Sequence, residues 1–113
     1  MTEIYHNPRC GKSRDTLKIL EEKSEPIEIV EYLKSTPSKE QLVAIIKMLG
    51  ISPLQLIRKG EKIFKENYKG KNLSDDEWIT VMLENPILIE RPIVIKNGKA
   101  AIGRPPESVL EIL

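Results

Sequence analysis

The chain has 113 residues, 40% apolar and 31% charged, the size of one compact domain that can bury a core without metal or disulfide staples. Its 18 Lys and Arg against 17 Asp and Glu leave a formal charge of +1, which excludes bulk attraction to nucleic acid and makes any basic site a local one. One cysteine excludes an internal disulfide, and aromatic content of 4% argues against stacking platforms for single-stranded nucleic acid. No apolar run of roughly 18 residues is present to span a membrane and no signal-peptide pattern opens the chain, so a cytoplasmic protein is expected, with no membrane or nucleic-acid partner.

Residues 2 to 5, Thr-Glu-Ile-Tyr, form a short β-prone run, and Asn7-Pro8 then forces an extended or turning backbone. From Gly11 the apolar positions Leu17, Ile19 and Leu20 predict an amphipathic helix to about Lys23, with Cys10 at its N-terminus. Pro26 opens a second strand with Ile27 and Ile29 alternating against Glu28, extending less cleanly toward Leu33. A helix between these strands predicts a parallel pair with a right-handed crossover.

The middle of the chain reads as helices. Ser38 with Gln41 makes a capping box ahead of Leu42, Val43, Ile45, Ile46 and Leu49, and Gly50 is a natural stop. Ser52, Pro53 and Gln55 start a short helix before Gly60, and Ser74 with Glu77 starts another that ends at Asn85-Pro86. Past Arg91-Pro92, the turn Asn97-Gly98 lies between Ile93-Val94-Ile95 and Lys99–Ile102, a strong hairpin signal. Gly103-Arg104-Pro105-Pro106-Glu107 then leads into a last helix carrying Val109, Leu110 and Ile112. The expectation is an α/β fold: one thioredoxin-like domain over residues 1–113, with a βαβ unit and a ββα unit forming a mixed four-stranded sheet flanked by helices and a helical insertion at about 36–84.

Cys10 carries the chemistry. A thiol is a useful nucleophile only as thiolate, and a helix N-terminus or adjacent cations lower its pKa. Cys10 has both, with Arg9, Lys12 and Arg14 around it and no carboxylate between Tyr5 and Asp15. The unpaired N–H groups of the first turn also suit an anion, which Lys12, Ser13 and Arg14 can extend. The bland alternative, a small buried apolar residue, fits poorly with neighbours that are Pro, Arg, Gly and Lys. His6 can be either a polar residue at a strand end or a group that tunes Cys10.

Three motifs fail on single residues. A P-loop needs glycine where His6 stands, a cysteine-phosphatase loop needs arginine at Thr16, and a dithiol motif needs a second cysteine at Ser13. With no second thiol on the chain, an adduct on Cys10 requires an external thiol to resolve it. Arg58, late in a short helix, reads by pattern as solvated; Arg91 sits at a strand start. Arg104 precedes a helix N-terminus where the dipole gives a cation nothing, and guanidinium forks suit tetrahedral oxyanions.

The segments IYHNPRCGKSRDTL, ISPLQLIRKGE, NPILIERPIVI and AIGRPPESVLEIL resemble those of the glutathione- and glutaredoxin-dependent arsenate reductase family, over essentially the whole chain. The resemblance implies that Cys10 is the nucleophile and that Arg58, Arg91 and Arg104 bind arsenate. It matches His6 and Ser13 to the histidine and serine around the nucleophile, and Pro92 to the cis-proline position of thioredoxin-like folds. It further implies glutathione as cosubstrate, glutaredoxin as partner, and no bound metal or organic cofactor. Two other readings use the same cysteine. One is a glutathione-dependent monothiol oxidoreductase acting on mixed disulfides; the other is an RNA polymerase-binding redox regulator, against which Ser13 and Arg104 count.

Overall fold

The computed structural model describes Met1–Leu113. It divides into two compact units, one of residues Met1–Ser35 with Arg91–Leu113 and one of residues Thr36–Glu90. The first holds a four-stranded mixed sheet in the order β2-β1-β3-β4, with β1 Thr2–Tyr5, β2 Ile27–Val30, β3 Ile93–Lys96 and β4 Lys99–Ile102. β1 pairs parallel with β2 and antiparallel with β3, and β3 pairs antiparallel with β4. Helix α1, Gly11–Glu22, makes the crossover that the parallel pair requires.

The register sets Ile4, Val94 and Ala101 side by side across three strands. On this row pack Leu17 and Leu20 of α1 and Val109 and Ile112 of the last element, closing a core in which Ile4, Leu20, Val94 and Val109 are fully buried. At about 1.5–3 kcal/mol for each such side chain, this cluster holds α1 against the sheet and fixes the position of its N-terminus. The hairpin turn is as expected: Lys96 pairs with Lys99, and Asn97 and Gly98 both take positive φ, 51° and 75°. Asparagine and glycine are the residues that tolerate this conformation, whose twist matches the strands.

Three expectations are corrected. The second strand ends at Val30; Glu31 begins a turn, so Tyr32 is buried while Leu33 is 40% exposed. Alternation read past Val30 therefore assigns the wrong residue to the interior. The last element is a 3-10 helix, Pro106–Ile112, with i→i+3 bonds from Ser108 N to Pro105 O and Leu113 N to Leu110 O. Pro105 and Pro106 supply no N–H to the first turn, and the short element is held by packing of Val109 rather than by its own ladder.

The second unit contains α2 Lys39–Leu49, α3 Pro53–Leu56, α4 Lys62–Asn67 and α5 Asp75–Glu84, followed by a 3-10 turn at Pro86–Leu88. α2, α3 and that turn contact α5. The third correction is α4, which the sequence did not announce: its N-cap is Glu61 with no side-chain cap bond, so the Ser-x-x-Glu/Gln signature of its neighbours is missing. Gly50 stops α2 in the left-handed conformation, φ 68°, donating to Ile46 O and Lys47 O. No helix of the protein is long and apolar enough to cross a membrane.

Candidate active site

Cys10 is the N-cap of α1, with extended φ −97° and ψ 122°, and its side chain is partly exposed. The segment before it is tied down by Asn7. The Asn7 carbonyl accepts from Cys10 N at 3.0 Å, its side-chain Oδ1 accepts from Arg9 N at 3.0 Å, and its own N–H donates to Ser13 Oγ at 3.0 Å. This is the Asn-Pro turn closed on the helix start, which leaves the first-turn amides facing the thiol. The first turn of α1 contains no carboxylate.

Two arginines reach Cys10. Arg104 Nη2 lies 3.5 Å from Sγ, and its Nε donates to the Arg91 carbonyl at 2.9 Å. The buried Arg91 side chain also hydrogen-bonds the thiol. Burial pushes the Cys10 thiol up, but the Ser13 amide, the Arg91 guanidinium and the Lys12 amide together outweigh it and bring the pKa below the ordinary thiol value. The net result is a thiol that ionises more readily than an ordinary cysteine, with two arginines and two backbone amides beside it.

His6 and Ser13 are buried together, His6 Nδ1 and Ser13 Oγ being 2.6 Å apart. Ser13 Oγ also accepts from Asn7 N, and the tautomer of His6 sets which of Nδ1 and Oγ donates in the bond between them. Burial lowers the His6 pKa, Glu31 raises it and Arg14 lowers it, with the net direction downward. Arg14 is exposed and donates from Nη1 to the Pro8 carbonyl at 2.9 Å, clamping the loop.

The Gly-Arg-Pro segment comes close because Gly103 has no side chain. A Cβ there would collide with Thr16 Oγ1 and lie 2.8 Å from Pro92 Cγ, while Gly103 N donates to Pro92 O at 2.9 Å. The Arg91-Pro92 peptide is cis, as the thioredoxin-like reading implies at Pro92; Arg104-Pro105 is cis as well, which the sequence did not signal.

Of the residues singled out in the sequence, Cys10, Arg91, Arg104, His6, Ser13, Arg14 and Pro92 thus belong to one unit, and Arg91 and Arg104 converge on the thiol. Arg58 belongs to the helical unit, where Nη1 bonds Glu90 Oε1 at 2.8 Å and Nε lies 3.4 Å from Glu61 Oε1. Asn7 and Gly103 were missed as site builders. The Asn-Pro dipeptide marked only a turn, and nothing local distinguishes a glycine required by a neighbour more than 80 residues earlier.

The ArsC family model matches residues 5–112. The arsenate reductase of Haemophilus influenzae is 49% identical over 113 residues, covering 97% of this chain and 97% of that protein. The uncharacterized protein YfgD of Escherichia coli K12 is also 49% identical, over 98% of this chain and 95% of its own length. Among solved structures, the arsenate reductase from Vibrio cholerae superposes with a TM-score of 0.94 at 46% identity, covering 99% of this chain and 97% of that one.

Proposed function

This chain belongs to the ArsC family, and from that premise we propose that it is an arsenate reductase in which Cys10 is the nucleophile and glutathione and glutaredoxin complete the cycle. The observation that carries the reading is a lowered-pKa thiol at an acid-free helix start with Arg104 Nη2 3.5 Å away and the Arg91 guanidinium bonded to it. A tetrahedral oxyanion meets there a nucleophile, amide donors and two guanidinium forks.

In this reading the Cys10 thiolate forms a bond to arsenic as one arsenate oxygen, taking up a proton, leaves as water. The arginines neutralise the charge on the oxygens during attack. Glutathione condenses on the same arsenic with loss of a second water. The glutaredoxin thiolate then attacks the glutathione sulfur, and the electron pair of that sulfur–arsenic bond passes to arsenic, reducing As(V) to As(III) and leaving a glutaredoxin–glutathione mixed disulfide. Hydrolysis of the remaining Cys10–arsenic bond returns the thiol and releases arsenite. An external thiol is required because Cys10 is the chain's one cysteine. His6 and Ser13 act through position, holding the Ser13 amide toward Sγ. Arg58 enters as a substrate ligand through its Leu-Ile-Arg-Lys-Gly segment alone, and the reaction calls for no bound metal or organic cofactor.

The test is arsenate-dependent NADPH oxidation with glutathione, glutaredoxin and glutathione reductase, comparing wild type with Cys10→Ser. Turnover by wild type and none by the variant is expected. No turnover by folded wild type with a free thiol overturns the reading; turnover that survives replacement of glutathione, glutaredoxin and glutathione reductase by thioredoxin and thioredoxin reductase overturns the donor assignment while leaving the reductase standing.

A further inference from the structure

The helical unit has a cavity that the chemistry at Cys10 does not use. Its volume is about 400 Å³, within the range of sites that enclose small molecules. One wall is aromatic. Phe64 and Trp78 stack at 6.0 Å between ring centroids, and Tyr68 stands edge-on to Trp78 at 6.3 Å. Three of the chain's five aromatic residues are therefore gathered here. Asn85 Nδ2 lies 3.5 Å from Tyr68 Oη, holding that ring by its polar end.

The rim is basic. Lys59, Lys65, Lys69 and Lys71 line the cavity and no carboxylate does. Cations and carboxylates balance over residues 36–90, so this convergence is local and not an excess of the unit. The ion pairs within the unit, Lys39–Asp76, Arg58–Glu61 and Arg58–Glu90, leave all four lysines out. Lys59 Nζ donates to Leu54 O at 3.2 Å and Lys71 Nζ sits 5.6 Å from the Tyr68 ring centroid, which holds two of the ammonium groups at the mouth. Gathering like charges beside an apolar wall costs repulsion that an anion would relieve.

We propose that this cavity binds a small amphipathic anion, an aromatic body carrying one phosphate or sulfonate, with the body against Phe64, Tyr68 and Trp78 and the anionic head among the lysines. The aromatic wall supplies contact area and the lysines select the sign of the charge, so both halves of the ligand are needed. The site lies wholly within residues 54–78 and stands or falls independently of arsenate reduction.

Trp78 is the chain's single tryptophan, so its indole N–H is an unambiguous local reporter in ¹H–¹⁵N spectra. The protein is titrated with 1-naphthyl phosphate, and in parallel with 1-naphthol and with inorganic phosphate. Saturable shifts at Trp78 and at the amides of 68–71 are expected with naphthyl phosphate. Affinity should fall about tenfold or more for naphthol and for phosphate alone, and should weaken as salt is raised from 50 to 500 mM, on the order of screening of exposed charges. Lys65→Gln/Lys69→Gln/Lys71→Gln, all at exposed positions, should lower affinity to that of naphthol. Absence of saturable shifts at Trp78 up to millimolar naphthyl phosphate overturns the proposal. So does equal affinity for naphthol, or affinity indifferent to both salt and the triple substitution.

Discussion

Two helix starts of the helical unit and the start of α1 are built on opposite rules, while α4 shares the uncapped, acid-free form of α1. In the helical unit, α2 and α5 begin with complete capping boxes: Ser38 Oγ accepts from Gln41 N at 3.1 Å and Ser74 Oγ from Glu77 N at 3.2 Å, with Glu40 in the first turn of one and Asp75, Asp76 and Glu77 in that of the other. In the sheet unit, α1 begins at Cys10 with no side-chain cap bond and no first-turn acid. The same orphan amides that stabilise a helix when satisfied from within stabilise a thiolate when left open. The Ser13 amide, at the position where Gln41 and Glu77 donate to serine oxygens, is together with Arg91 what lowers the Cys10 pKa. What sets α1 apart from the equally uncapped α4 is the thiol at its N-cap, the nucleophile of the proposed reaction.

The largest effect comes from making α1 resemble the others. Cys10→Ser should abolish arsenate-dependent turnover while its hydroxyl caps the Ser13 amide, stabilising the fold by up to about 1 kcal/mol in urea titrations at acidic pH. The pH dependence sharpens this. The folded thiol pKa lies below the unfolded value, so the thiolate's contribution to stability is fully present above the unfolded thiol pKa and is lost as pH falls through the folded one. Cys10→Ser should lack that component. A variant destabilised equally at all pH values would refute the cap exchange.

Next in size is the removal of one cation. Arg91→Ala should raise the pH midpoint for alkylation of Cys10 by iodoacetamide and lower arsenate kcat/KM by roughly 10²-fold, the usual cost of one preorganised donor to a developing oxyanion. An unmoved alkylation profile would show that Arg91 does not set the thiol and would leave the amides and Arg104 to do so.

Much of this contrast was legible in the sequence, for physical reasons. Ser38-x-x-Gln41 and Ser74-x-x-Glu77 are short-range signals whose donors and acceptors sit three residues apart, and Asn97-Gly98 announces a turn that needs two positive φ values. Cys10 at a predicted helix start among cations is equally local. What stayed hidden is what depends on tertiary packing or lacks a local signature. Helix α4 has no cap residue to announce it, Tyr32 rather than Leu33 is buried because β2 ends early, and the thiol's contacts with Arg91 and Arg104 span more than 80 residues. Gly103 belongs to the same group. Gly103→Ala would set a methyl group against Thr16 and Pro92, costing about 1–3 kcal/mol by overpacking and moving Arg104 off the thiol. A raised arsenate KM together with a lowered urea midpoint is expected, and either change without the other would separate the packing role from the placement of Arg104.

The smallest effect tests the other side of the contrast. Ser74→Ala removes the acceptor of the Glu77 amide and leaves an orphan donor at the start of α5, which should cost about 1 kcal/mol. The Ser74 amide, followed by its hydroxyl, also holds the Glu77 carboxyl below its ordinary range, an effect present above the unfolded carboxyl pKa and lost as pH falls through the folded one. Loss of the hydroxyl should therefore flatten part of the acid limb of the stability profile as well as lower the urea midpoint, with the denaturant slope unchanged. Alkylation of Cys10 should keep its wild-type pH profile, since this cap serves only its own helix. A shifted thiol profile in Ser74→Ala would mean that a closed helix start in one unit feeds the open start in the other, and the two could no longer be treated as separate solutions to the same backbone problem.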